Sequence, residues 1–164
     1  MKHILLLTTG GTIASRPTEE GLAPGMDGDA LTRHFPLLSE NYALTVRDIL
    51  HLDSSNIQPE EWQLIARAVH DQRAAYDGVV ITHGTDTMAY TASVLSFMLR
   101  GIPIPVVLTG SQLPIEHPLT DALENLRIAF AMAASGTPGV FVAFDRKVIL
   151  GCRAVKTRTK GFDA

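Results

Sequence analysis

The sequence predicts an α/β protein: a doubly wound, mainly parallel sheet with helices on both faces, three layers in all, plus a C-terminal hairpin. Three observations predict it. Short aliphatic runs such as "ILLL", "VVI" and "VVL" have the pattern of strands covered on both faces. These runs alternate with helical segments, as βα units do. Most of them end in a loop rich in glycine and hydroxyls, of which "TTGGT", "THGTDT" and "TGSQ" are examples.

Taken in order, His3–Thr9 reads as a central strand. Gly10–Met26 holds four glycines and two prolines and reads as a long functional loop. Asp27–Phe35 is a short helix capped by Asp27 and stopped at Pro36. Ala43–Leu50 alternates weakly, as a second strand. In "HLDSSNIQPEEW", Gln58 stands at a cap position, Pro59 at the first helical position, and Glu60 and Glu61 favour the positive helix end. Trp62, Ile65, Ala66 and Val69 then share one inward face. Asp77-Gly78 is a turn before the strand Val79–Thr82. Met88–Leu99 is a nearly wholly apolar helix, expected to be largely buried. Val106–Thr109 is a fourth strand, and a helix spans roughly Asp121–Ala134. Val140–Ala143 and Val148–Leu150 pair as a hairpin across "DRK", and the tail "CRAVKTRTKGFDA" reads as loop or linker.

The chain has 164 residues, enough for one domain with a core of its own, and we read 1–164 as that domain. Hydrophobic residues make up 46% and charged residues 19%, a globular balance. A net charge of -3 without a basic cluster gives no electrostatic reason to expect nucleic acid or an anionic membrane. Cys152 is the only cysteine, so an internal disulfide is impossible and a reducing, cytoplasmic location is expected. Lys2 and the apolar Ile4–Leu7 are too short for a secretory leader, and no apolar run is long enough to cross a bilayer.

Ligands of doubly wound sheets bind beyond the carboxyl ends of the strands, where the four polar loops, "DSSN" among them, would gather. In "LLLTTGGTIAS", two glycines clear space for close approach and Thr12 supplies a hydroxyl behind them. "GGTIAS" lacks the third glycine of a dinucleotide fingerprint, and no phosphate-loop motif occurs. Asp86 by itself is an ordinary helix cap; beside Thr85 it reads as a site. His83 lacks a second ligand at metal spacing, so it reads as structural and no metal is expected. His117 reads as exposed, and Lys156 alone as a solvated lysine. A serine nucleophile elbow is missing.

Together, "TTGGTIAS", "LDSSNIQPEEW", "DGVVITHGTDTMAYTASVLSFML", "VVLTGSQLP" and "RAVKTRTKGFDA" resemble the bacterial-type L-asparaginase family, nearest its cytoplasmic branch. The resemblance runs the length of the chain and is carried most specifically by "HGTDTM" and "GGTIA". It implies the larger N-terminal domain of proteins about twice this long. It also implies a reaction without cofactor, L-asparagine (or L-glutamine) to L-aspartate and ammonia, in a homo-dimer or tetramer. Thr12 resembles the nucleophile. Thr85, Lys156 and Asp86 resemble a hydrogen-bonded catalytic triad. Asp86 resembles the residue that holds the substrate's α-ammonium, and Ser54 the one that meets its α-carboxylate. Gly11, Ser55 and Ser111 match further substrate-side positions, with the Thr12 amide in the oxyanion hole.

Two departures are visible. Leu22 stands where many relatives carry a tyrosine that assists the nucleophile. Relatives also complete the site with a carboxylate from a neighbouring subunit's C-terminal domain, so the resemblance implies that this chain alone is nearly inactive. An amino-acid-binding module and an ammonia-supplying amidotransferase component are the competing readings.

Overall fold

The computed structural model describes residues 1–158 and 161–163. Its strands and helices follow in the order β1 (His3–Gly10), β2 (Ser15–Thr18), β3 (Gly21–Pro24), α1 (Gly28–Arg33), α2 (Leu37–Asn41), β4 (Ala43–Leu52), α3 (Pro59–Gln72) and β5 (Gly78–Thr82). Then come α4 (Met88–Met98), β6 (Pro105–Thr109), α5 (Ala122–Ala133), β7 (Gly139–Phe144), β8 (Lys147–Leu150), β9 (Val155–Arg158) and β10 (Gly161–Asp163).

Six strands form one sheet in the order β4-β1-β5-β6-β7-β8. Its first five strands run parallel, and β8 closes the edge antiparallel to β7. The aliphatic runs split by parity. Leu5, Leu7, Val79, Ile81, Val106 and Leu108 pack against Ile65 and Val69 of α3 and Met88, Ala92 and Leu95 of α4. Ile4, Leu6, Val80 and Val107 face the other way, against Leu31 of α1, Leu38 of α2 and Leu126 and Phe130 of α5. This is the three-layer, doubly wound arrangement that the alternation implies. The chain goes from β1 outward to β4, then back over β1 to β5, so the winding direction reverses between β1 and β5. A crevice forms at the carboxyl end of such a reversal.

Local chemistry explains the helix starts. Asp27 accepts a hydrogen bond from the Ala30 N–H, capping α1. Gln58 and Glu61 form a reciprocal capping box with Pro59 at the first position of α3. Burial along α3 falls on Ile65, Ala66 and Val69, the face that the spacing predicts.

The structure differs from expectation in four places. Gly10–Met26 is not an open loop: a single 3-10 turn, Thr12–Ala14, leads into the ribbon β2–β3. Pro17 and Pro24 hid it, yet each strand of a two-stranded ribbon is an edge, where proline is tolerated. Pro36 ends the first helix but also caps the next, α2. Helix α4 is buried along Met88, Thr91, Ala92 and Leu95 only, and leaves Tyr90 and Phe97 exposed. The tail forms a 3-10 turn and the paired strands β9 and β10; Thr159, Lys160 and Ala164 lie outside the described residues. Among the described residues no helix is long and apolar enough to cross a membrane.

Gly78 opens β5 against the end of α5, where an added Cβ would lie 2.0 Å from the Ala133 carbonyl oxygen. Gly78→Ala is expected to destabilise the fold by about 2 kcal/mol, as overpacking does, read as a lower thermal midpoint. The secondary-structure spectrum should be unchanged.

Candidate active site

Strand β1 delivers the chain into the crevice through Gly10 and Gly11, whose φ angles of 100° and 88° suit glycine. Neither position has room for a side chain. A Cβ on Gly10 would sit 2.6 Å from the Leu52 carbonyl oxygen, and one on Gly11 2.7 Å from the Gly84 nitrogen. The end of β1 is thus wedged between the ends of β4 and β5. Gly84 approaches the next loop as tightly: a Cβ there would lie 2.6 Å from Ser54 Oγ. The Thr87 hydroxyl donates to the Ser54 carbonyl at 2.7 Å and ties the same two loops.

The result is one cavity of about 460 Å³. Gly10, Gly11, Thr12, Ser54, Thr85, Asp86, Gln112 and Lys156 line it, and Ser15, Leu22, Ala23, Gly25 and Met26 contribute a wall from the β2–β3 segment. Thr12 opens the 3-10 turn, and the Ser15 hydroxyl donates to its carbonyl at 2.7 Å. Lys156 Nζ donates to Thr85 Oγ1 at 3.2 Å and to Asp86 Oδ1 at 2.9 Å. Lys156 is largely covered, whereas Asp86 is mostly exposed. The pair therefore contributes little to stability and acts by orienting the ammonium. Among the described residues no group of His, Cys, Asp or Glu side chains suits a metal ion.

The sequence-derived residues divide. Gly11, Thr12, Ser54, Thr85, Asp86 and Lys156 all line the cavity. Ser55 is exposed on a 3-10 turn whose start is capped by Asp53, and it is not among the lining residues. Ser111 is buried, is not among the lining residues, and its hydroxyl donates to the Leu113 carbonyl. The lining side chain of that loop is its neighbour Gln112, whose Nε2 is buried without a partner among the described residues. Asp121 holds this loop by accepting the Gln112 and Leu113 N–H groups, and Asn125 holds it by donating to the Gly110 carbonyl. A glutamine one place beyond a serine carries no distinguishing signal in sequence. Leu22 stands in the wall at the place the resemblance gives to a tyrosine.

The family model described as "Asparaginase, N-terminal" matches residues 3–164. The chain belongs to the asparaginase family. The L-asparaginase of Thermococcus kodakarensis is 52% identical over 162 residues, covering 98% of this chain and 49% of that protein. L-asparaginase 1 of Escherichia coli K12 is 41% identical over 170 residues, covering 99% and 50%. A solved structure of the thermostable L-asparaginase from T. kodakarensis superposes with a TM-score of 0.92 at 50% identity, over 99% of this chain and 51% of that one. A glutamyl-tRNA(Gln) amidotransferase component from Thermoplasma acidophilum is also related, at 39% identity over 136 residues, which cover 82% of this chain and 33% of that protein. The chain spans about half the length of the asparaginases it matches.

His83, which follows β5 in this asparaginase domain, is buried, as the sequence reading expects of a structural imidazole. Burial pushes it below its ordinary value of 6.5, partly offset by the bond to the Gly84 carbonyl. Above 6.5 the folded and unfolded chains both hold a neutral ring and the group is silent. Below it the unfolded chain takes a proton that the folded chain refuses, so stability falls as the pH drops. The thermal midpoint is expected to decline on acidification from about pH 7 to about pH 5, and less steeply in His83→Asn. Gly11→Ala, which sets a Cβ against the Gly84 backbone at a φ of 88°, is expected to lower the thermal midpoint, read from a melting curve.

Proposed function

We propose that the chain is the nucleophile-bearing domain of an L-asparagine amidohydrolase, which turns L-asparagine and water into L-aspartate and ammonia. The observation that carries this reading is the bond from Lys156 Nζ to Thr85 Oγ1 in the cavity that Thr12 also lines. A threonine hydroxyl is a weak nucleophile unless a neighbouring base takes its proton. In this reading Thr12 Oγ1 attacks the side-chain amide carbon, and the carbonyl oxygen gains negative charge. Backbone N–H groups around Gly11, Thr12 and Thr85 stabilise that charge, in a site already organised for it. The carbon–nitrogen bond then breaks. Nitrogen leaves as ammonia, carrying the proton that Thr12 gave up, and an ester links the substrate acyl group to Thr12. Water hydrolyses the ester and returns the proton to Thr12.

Thr85 and Lys156 form the proton path. Thr85, held by the bond from Lys156 Nζ, takes the proton that Thr12 gives up and passes it to the leaving nitrogen, and returns one from water to Thr12 in the second half. Asp86, beside the same ammonium, is the natural partner for the substrate α-ammonium, and Ser54 and the Gln112 amide are donors for its α-carboxylate. Hydroxyl, amine and carboxylate groups carry every step, so the reading calls for no cofactor. We assign Ser55 and Ser111 supporting roles in the two loops, through the cap at Asp53 and the bond to Leu113. The full-length protein is proposed to work in the cytoplasm as a homo-oligomer, with a carboxylate of a neighbouring copy completing the site.

Ammonia release from L-asparagine by the full-length protein tests the reading. Thr12→Ala should lower it about a thousandfold or more, as loss of a nucleophile does; undiminished turnover removes Thr12 from this role. Binding of L-asparagine with no ammonia release would favour an amino-acid-binding module. Gln112→Ala should raise KM about tenfold with kcat nearly unchanged, the signature of lost ground-state binding.

A further inference from the structure

His83 takes no part in the proposed reaction, yet it is the hub of a buried polar relay. Its Nδ1 lies 2.7 Å from the Gly84 carbonyl oxygen and its Nε2 2.9 Å from Thr91 Oγ1. Thr91 Oγ1 lies 2.8 Å from Trp62 Nε1. The protons can be placed by inventory: an indole N–H only donates, and a carbonyl only accepts. Trp62 therefore donates to Thr91, and His83 Nδ1 carries the hydrogen that Gly84 accepts. Thr91 turns its own hydrogen to His83 Nε2, which is bare. The neutral Nδ1–H tautomer satisfies each group. A second ring proton would face the Thr91 hydroxyl hydrogen, in a place where Thr91 has no access to solvent.

The relay runs Trp62 to Thr91 to His83 to Gly84 with its dipoles head to tail, an arrangement in which each bond strengthens the next. It ends on a peptide group. In a trans peptide the C=O and the following N–H point in opposite directions, and the described residues contain no cis bonds. Drawing the Gly84 carbonyl to the imidazole therefore turns the Thr85 N–H away from His83. Gly84 and Thr85 both line the cavity. We propose that His83 is a positioning residue: set by Trp62 and Thr91, its Nδ1–H tautomer orients and polarises the Gly84–Thr85 peptide, so that the Thr85 N–H donates to negative charge on the substrate. This assignment rests on the amidohydrolase reading for its catalytic consequence, though not for its proton placement.

The test has two arms. In 15N spectra at neutral pH, His83 shows the Nδ1–H tautomer, and Thr91→Val moves the Thr85 amide proton upfield; neither measurement needs turnover. In the full-length protein, Thr91→Val lowers kcat for L-asparagine about tenfold, less than deletion of an oxyanion donor outright, while KM stays within about twofold. His83→Asn, whose side-chain N–H keeps the bond to Gly84, retains more activity than His83→Ala. An Nε2–H tautomer, an unmoved Thr85 amide proton or an unchanged kcat in Thr91→Val overturns the proposal. Should the unsubstituted protein release no ammonia, the amidohydrolase reading falls, while the tautomer and the amide shift still decide the proton placement.

Discussion

The contact on which the rest of the site depends lies between two peptide groups that carry no side chains. Gly11, at the end of β1, and Gly84, at the end of β5, meet at a separation that no Cβ permits. Gly84 in turn rests on Ser54, so three strand ends are drawn together at points where no larger residue fits. Side chains on this rim are consequently displaced to the flanks: Thr12 on one side, Thr85 and Asp86 on another. A small polar ligand placed among them meets groups from several loops at once. The reversal of winding between β1 and β5 opens the crevice, and the glycines keep it narrow.

Much of the fold was legible in sequence because its signals are local. "ILLL" and "VVI" mark strands covered on both faces, and Asp27, Gln58, Pro59 and Glu61 announce helix starts by chemistry that acts within one turn. What stayed hidden depends on distant partners. Strand order is one case, since nothing in β4 itself says that the chain will cross back over β1. The β2–β3 ribbon is another: its prolines argue against strand, and only the lack of further neighbours makes them harmless. The exposed side of α4 is a third, for a side chain's apolar character does not say which surface covers it.

The site follows the same division. Thr12 and Thr85 were recognisable because their loops are unusual in composition. Lys156 was an ordinary lysine until the fold brought it 3.2 Å from a threonine 71 positions earlier. Gln112 had no signal at all; it lines the cavity with an amide nitrogen that has no partner among the described residues. Ser55 and Ser111 show the converse. Their residue types suited a ligand, but one is spent on the outer surface and the other on its own loop.

The wall built from the β2–β3 segment grows directly out of the turn that holds Thr12. Its polar fastenings to the facing loop are slight. The Ile115 N–H donates to the Ile13 carbonyl at 3.2 Å, and Arg16 meets Glu116 at 3.6 Å on a wet surface. Each is a contact of about 1 kcal/mol or less; the firmer hold is apolar, since Ile13, Ala14 and Met26 are buried in the same core cluster as Ile115. The place of the Thr12 turn and the shape of the cavity wall are therefore fixed by one and the same patch of apolar packing.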